Sequence, residues 1–226
     1  MLGSGEFEPW VGPIERSALR EASGDGGVAV LATASAPEGE VVFQRWNEMA
    51  RAHYRSLEVR AEPLEVRTRA DALSPEPAAA VREASMVFFS GGNPRYLHEV
   101  LLGTPLLKAI RELLARGGVY AGCSAGAMIA GDPLPTVDGL TARAFGQGLG
   151  LVPRHLFGVH WDAPMMRPWR SVMGSRVPPD KHLLGISERT AVFGGGDGWT
   201  VYGKGSVEHR FAGGREWLRP GQALAF

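Results

Sequence analysis

The chain has 226 residues, and its 24 Lys and Arg are balanced by 24 Asp and Glu, with 44% hydrophobic and 21% charged residues. That length fits one large domain spanning 1–226 with a full hydrophobic core. The even charge balance gives no basic face for nucleic acid or for a membrane surface. A single cysteine, Cys123, excludes an intramolecular disulfide and fits a reducing compartment. The opening Met1-Leu2-Gly3-Ser4-Gly5-Glu6 lacks the basic and apolar regions of a secretory signal. No apolar run reaches the roughly 18 residues of a membrane helix. A cytoplasmic protein is therefore expected.

In chain order, Val28-Ala29-Val30-Leu31-Ala32-Thr33 is a short apolar run, as a buried parallel strand requires. Val42, Trp46, Met49, Ala50, His53 and Leu57 recur at helical spacing and predict a helix over 41–57. A second strand is predicted over 61–67. A helix over 75–84 follows, with Pro75 where a missing N–H costs little. Residues 85–90 read as a third strand leading into Gly91-Gly92-Asn93-Pro94. Helices over 94–101 and 105–116 come next, the second closed by Gly117-Gly118. Val119-Tyr120-Ala121-Gly122 is a fourth strand, and 124–130 begins a helix with small residues.

This alternation predicts an α/β fold: a mostly parallel sheet with helices on both faces, in three layers. The tail differs. Segments 191–193, 199–202 and 206–210 read as short strands, with Gly194-Gly195-Gly196-Asp197-Gly198 and Gly203-Lys204-Gly205 as hairpin connections. They are expected to add an antiparallel edge to the same sheet.

The chemistry centres on Gly122-Cys123-Ser124-Ala125-Gly126. A serine hydroxyl is a poor nucleophile unless a base is within reach and the oxyanion is stabilised. A sharp strand-to-helix turn lifts the hydroxyl above the sheet, and G-x-S-x-G marks that turn. Strand and helix are predicted around it independently of the motif. Cys123 stands one place before the apex and reads as a small buried filler. The N–H after the nucleophile, that of Ala125, is one expected oxyanion donor. Gly92, on the loop after the neighbouring strand, is the expected second.

These residues resemble peptidase family S51, the serine peptidases that include aspartyl dipeptidase (peptidase E) and cyanophycinase. The resemblance rests on the elbow from Ala121 to Ala127, on Ser90-Gly91-Gly92-Asn93 as an oxyanion loop, and on Gly148-Leu149-Gly150-Leu151-Val152-Pro153 leading to Val159-His160-Trp161. It rests also on Gly185-Ile186-Ser187-Glu188-Arg189-Thr190-Ala191 and on the opening Gly3-Ser4-Gly5-Glu6-Phe7. It implies a fold like the class I glutamine amidotransferases, and a Ser124, His160, Glu188 triad that cleaves a short peptide or an aspartyl-type amide through an acyl-enzyme. It implies neither a metal nor an organic cofactor. The partner is a small peptide substrate, and a homodimer is the expected assembly.

Read from the residues alone, the triad has rivals. His155 lies close to His160, and Asp162 and Asp138 compete with Glu188 as the acid. Arg167 and Arg170 follow His160, where bidentate contacts could hold a substrate carboxylate; Asn93 is a further substrate contact. The segment Gly158-Val159-His160-Trp161 departs from the Asp-Gln-His-Phe of cyanophycin-cleaving members and from the Pro-His-Phe of the peptidase E branch, so neither substrate carries over. Three alternatives stand beside the short-peptide reading: a cyanophycinase-like β-aspartyl-arginine hydrolase, an amidotransferase-like or amidase enzyme using Cys123, and a catalytically silent binding domain.

Overall fold

The computed structural model describes residues 1–135, 145–195 and 198–226. The chain divides into two compact units, Glu6–Gly126 and a second formed by Met1–Gly5 with Ala127–Phe226.

The first unit begins with α1 (Gly12–Glu21), β1 (Val28–Leu31), a 3-10 turn (Thr33–Glu38), α2 (Glu40–Ser56) and β2 (Ala61–Pro63). Then come α3 (Arg69–Leu73), α4 (Pro75–Glu83), β3 (Met86–Phe89), α5 (Pro94–Leu101), α6 (Pro105–Ala115) and β4 (Val119–Gly122), and α7 (Ala125–Ala130) starts at the end of this unit and continues into the second. Its four strands form a parallel sheet in the order β2-β1-β3-β4. Parallel neighbours require crossovers, which the helices supply. Every residue of β1 and of β3 is buried, as continuous apolar runs covered on both faces should be.

The chain leaves β1 to one side for β2 and then crosses to β3. The gap between β1 and β3 is thus a topological switch point, where α/β sheets place ligands at the carboxyl ends of their strands. The strand predicted over 61–67 ends at Pro63. It is an edge strand, and only there does the sheet tolerate a proline.

The second unit holds β5 (Leu134–Pro135), β6 (Phe145–Gly146), β7 (His155–Gly158), a 3-10 turn (Pro164–Met166), α8 (Arg167–Gly174), β8 (His182–Ile186) and β9 (Thr190–Gly195). It ends with β10 (Gly198–Gly203), β11 (Val207–Phe211), β12 (Gly214–Leu218) and β13 (Ala223–Ala225). Strand β7 is parallel to β8, and β8 is antiparallel to β11. The tail strands therefore do not hydrogen-bond to the parallel sheet as an added edge. They belong to a β12-β11-β8-β7 sheet and a β13-β10-β9 sheet.

Strands β9 and β10 pair across the expected glycine-rich connection, of which Gly196 and Asp197 lie outside the described residues. Gly203-Lys204-Gly205 makes no hairpin, because β10 and β11 belong to different sheets. Lys204 N–H instead donates to Arg189 O and Gly205 N–H to Thr190 Oγ1.

A histidine cluster lies at the start of β7 and β8. The buried His155 stacks on His182 and Trp199, with Phe226 edge-on. Its Nδ1 donates to Pro153 O at 2.8 Å, since a carbonyl can only accept. Burial first, and then the neighbouring His182 and His209, push His155 down to about 4 from 6.5.

A depressed histidine stabilises the fold fully above its unfolded pKa, and that contribution is lost as pH falls toward the folded value. Between pH 6.5 and 4 the loss from His155 is of order 3 kcal/mol. A His155→Phe variant is expected to show a flatter decline of thermal midpoint over that window. An unchanged pH slope would refute the assignment.

Candidate active site

The elbow is built by close approach. Ser124 follows β4 and precedes α7, and it takes φ 49°, a left-handed conformation that a side chain rarely adopts. Cys123 N–H donates to Phe89 O at 2.9 Å, and Gly126 N–H to Cys123 O at 2.9 Å, closing the turn against β3. Tyr120 stacks on Phe89 and donates its hydroxyl hydrogen to Gly126 O at 2.6 Å.

A Cβ on Gly126 would lie 2.5 Å from Phe89 O and 2.6 Å from Phe89 Cβ. Gly126→Ala must therefore push the turn away from Phe89. The expected cost is about 1–3 kcal/mol, a fall in melting temperature on the order of 5 °C, together with loss of activity. Unchanged melting and turnover would contradict this packing.

The loop after β3 reaches the same place. A Cβ on Gly91 would sit 3.4 Å from Ser124 Cβ, so this loop packs directly against the nucleophile. Gly92 has φ 136°, and its Cβ would stand 2.4 Å from the Ala34 carbonyl. Only glycine fits. Ala125 is the first residue of α7, so its N–H has no acceptor within the helix. Asn93 is exposed, and its Oδ1 caps α5 by accepting from Tyr96 N–H at 3.0 Å. That cap was not evident from the residues around Asn93, which read equally as a substrate contact.

Cys123 is fully buried, and its Sγ donates to Glu6 Oε2 at 2.9 Å. Burial first, and then Glu6, hold the thiol well above its ordinary range. A protonated, enclosed thiol is an inert one.

In the second unit, His160 follows β7 with φ 50°, and Arg189, next to Glu188, also has φ 50°. Among the described residues, three of the six non-glycine positive-φ residues are thus Ser124, His160 and the neighbour of Glu188. Conformations of this kind cost of order 1–3 kcal/mol each and gather at active sites.

His160 Nδ1 lies 3.3 Å from Glu188 Oε1. Asp162 instead accepts from Glu188 N–H at 2.7 Å, so it shapes the loop that presents Glu188. The rival His155 is enclosed in its ring cluster, and Asp138 lies outside the described residues.

Trp161, fully buried, anchors the chain beside His160. Its ring covers the glycines of two neighbouring strands, where a Cβ on Gly158 or Gly185 would meet it at 2.4 or 2.2 Å. Its Nε1–H donates to the buried Glu208 at 2.7 Å. Glu208 also accepts from Arg210 Nε at 2.7 Å and lies 3.6 Å from Arg170. Arg170 additionally faces the Trp161 and Trp217 rings. Its guanidinium is therefore committed to this platform, while Arg167 at the start of α8 is exposed. Glu208 is invisible to motif reading, because its partner lies 47 positions away.

The profile of peptidase family S51 matches residues 40–202. The chain belongs to peptidase family S51. It is 34% identical over 157 residues to a cyanophycinase of Trichormus variabilis, covering 66% of this chain and 52% of that protein. It is 33% identical over 152 residues to a peptidase E of Shewanella amazonensis, covering 59% and 63%. The chain thus spans about half the length of the cyanophycinases it matches.

Among solved structures, a peptidase from an acI-B1 actinobacterium matches all of this chain and 95% of its own, with TM-score 0.91 and 29% identity. A Listeria monocytogenes protein described as a putative peptidase E shares the fold at TM-score 0.66 and 22% identity, covering 89% of this chain and 96% of its own. The family membership and the fold class expected from the sequence are both borne out. No helix among the described residues is long and apolar enough to cross a membrane.

Proposed function

We propose that this S51 chain is a serine peptidase that cleaves a short peptide or an aspartyl-type amide with Ser124, His160 and Glu188. The observation that carries the reading is Ser124 itself, at φ 49° on a strand-to-helix turn whose neighbours are kept small by direct contact. Ser124 Oγ attacks the scissile carbonyl and passes its proton to His160 Nε2. Glu188 orients the imidazole through Nδ1 and stabilises its charged form. Gly92 and Ala125 N–H groups receive the oxyanion. The tetrahedral intermediate expels the amine, which takes the proton from His160. Water then hydrolyses the acyl-enzyme by the same route.

The fully enclosed, protonated Cys123 argues against the thiol-dependent alternative. Strain retained at Ser124 and His160 argues against a silent binding domain, which would have no use for it. With Arg170 turned to Glu208, Arg167 is the better candidate to hold a substrate carboxylate, with Asn93 presented on the exposed loop beside Gly92.

Peptides with N-terminal Asp and β-linked Asp-Arg should be assayed in parallel, with release of the amine as readout. Turnover of either class that disappears in Arg167→Ala through KM supports this reading. Turnover unaffected by Ser124→Ala would overturn it.

A further inference from the structure

Glu6 is buried near the start of the first unit. Its Oε1 accepts from Gly91 N–H at 3.0 Å and its Oε2 from Cys123 S–H at 2.9 Å. The two partners stand 85 and 117 positions away, on different strands' ends. One carboxyl group therefore bridges the loop after β3 and the residue immediately before Ser124. It lies on the nucleophile's side of that loop: a Cβ on Gly91 would be 3.1 Å from Glu6 Oε1 and 3.4 Å from Ser124 Cβ.

The bridge has a consequence for the amides of the loop. Gly91 N–H is spent on Glu6, and Asn93 N–H on Ala34 O at 2.8 Å. Gly92 N–H lies between these two fixed amides and has no acceptor among the described residues. A preorganised donor contributes most when its direction is set before the reaction begins. Hydrogen bonds on the amides before and after Gly92 do that.

We infer that Glu6 is a positioning residue for catalysis: by tying Gly91 and Cys123 to one carboxyl group, it fixes Gly92 N–H as an oxyanion donor and holds it in register with Ser124. The inference rests on the serine peptidase reading above. Glu6 acts through the loop and the elbow, by its bonds to Gly91 and Cys123. The Cys123 thiol has a role in this arrangement as a hydrogen-bond donor, which its raised pKa sustains.

The test uses the whole chain, p-nitrophenyl acetate as substrate, and a fluorophosphonate taken to completion to count active sites. Glu6→Ala is expected to lose about 10²-fold in kcat per titrated site, with KM changed less than about threefold, as removal of an oxyanion donor does. Glu6→Gln retains an acceptor for Gly91 and a polar partner for Cys123, and is expected to recover most of that loss.

Should Glu6→Ala fail to fold, Cys123→Ala removes half of the bridge with a small buried change. It is expected to lower kcat several-fold, and Cys123→Ser to restore it. Full kcat per titrated site in Glu6→Ala, or in Cys123→Ala where Glu6→Ala does not fold, overturns the inference while wild-type labelling at Ser124 preserves the peptidase reading. Wild type unlabelled at Ser124 overturns both.

Discussion

Ser124→Ala is expected to lower turnover by about 10⁴–10⁶-fold and to abolish fluorophosphonate labelling, with the fold intact. Removing a triad nucleophile leaves only binding and the oxyanion donors, so the residual rate stays above that of water. The same position separates catalysis from stability. Ser124 holds φ 49°, which costs a residue with a Cβ of order 1 kcal/mol. Ser124→Gly is therefore expected to be as inactive as Ser124→Ala and to melt higher, by a few degrees. If Ser124→Gly melts lower than wild type, the turn is not strained in the way the backbone indicates.

The second large effect is expected at His160. His160→Ala should lose about as much activity as Ser124→Ala, and the double variant should lose no more than either alone, because the two residues act as one unit. Glu188→Gln keeps the shape but not the charge, and its loss is expected to reach about 10²–10⁴-fold. The corresponding Asp162 change probes the rival acid. Asp162 accepts Glu188 N–H, so Asp162→Asn should weaken turnover less than Glu188→Gln. Steady-state rates on one substrate decide the order. A reversed order would transfer the acid's role to Asp162.

What could be read from the residues follows from the range of the forces involved. The buried strands β1 and β3 and the apolar face of α6 announce themselves through local periodicity. The elbow does so through its G-x-S-x-G pattern, in which Gly126 is kept small by contact with Phe89. Helix α1 went unpredicted because it turns Glu15 inward, where His53 and the Tyr54 hydroxyl satisfy it; no apolar stripe records that. Helix α8 was equally hidden, since Met173 is its one buried residue. Strands β7 and β8 are short apolar runs, and their paired Gly158 and Gly185 lie against the Trp161 ring, a contact that no local pattern records.

The polar links were the least legible. Glu208 to Trp161 and Glu6 to Gly91 and Cys123 join residues far apart in the chain. Nothing in a local pattern distinguishes a carboxyl that will be buried from one that will be solvated. Arg170 shows the same limit from the other side. Its place after His160 made it a candidate for the substrate, whereas its guanidinium lies against Glu208 and two tryptophan rings.

The most direct test of the peptidase reading is mass mapping of the protein after reaction with a fluorophosphonate. The reading predicts one adduct per chain, on Ser124, lost in His160→Ala. An unmodified Ser124 in a protein whose hydrolytic activity is instead destroyed by alkylation of Cys123 would contradict it.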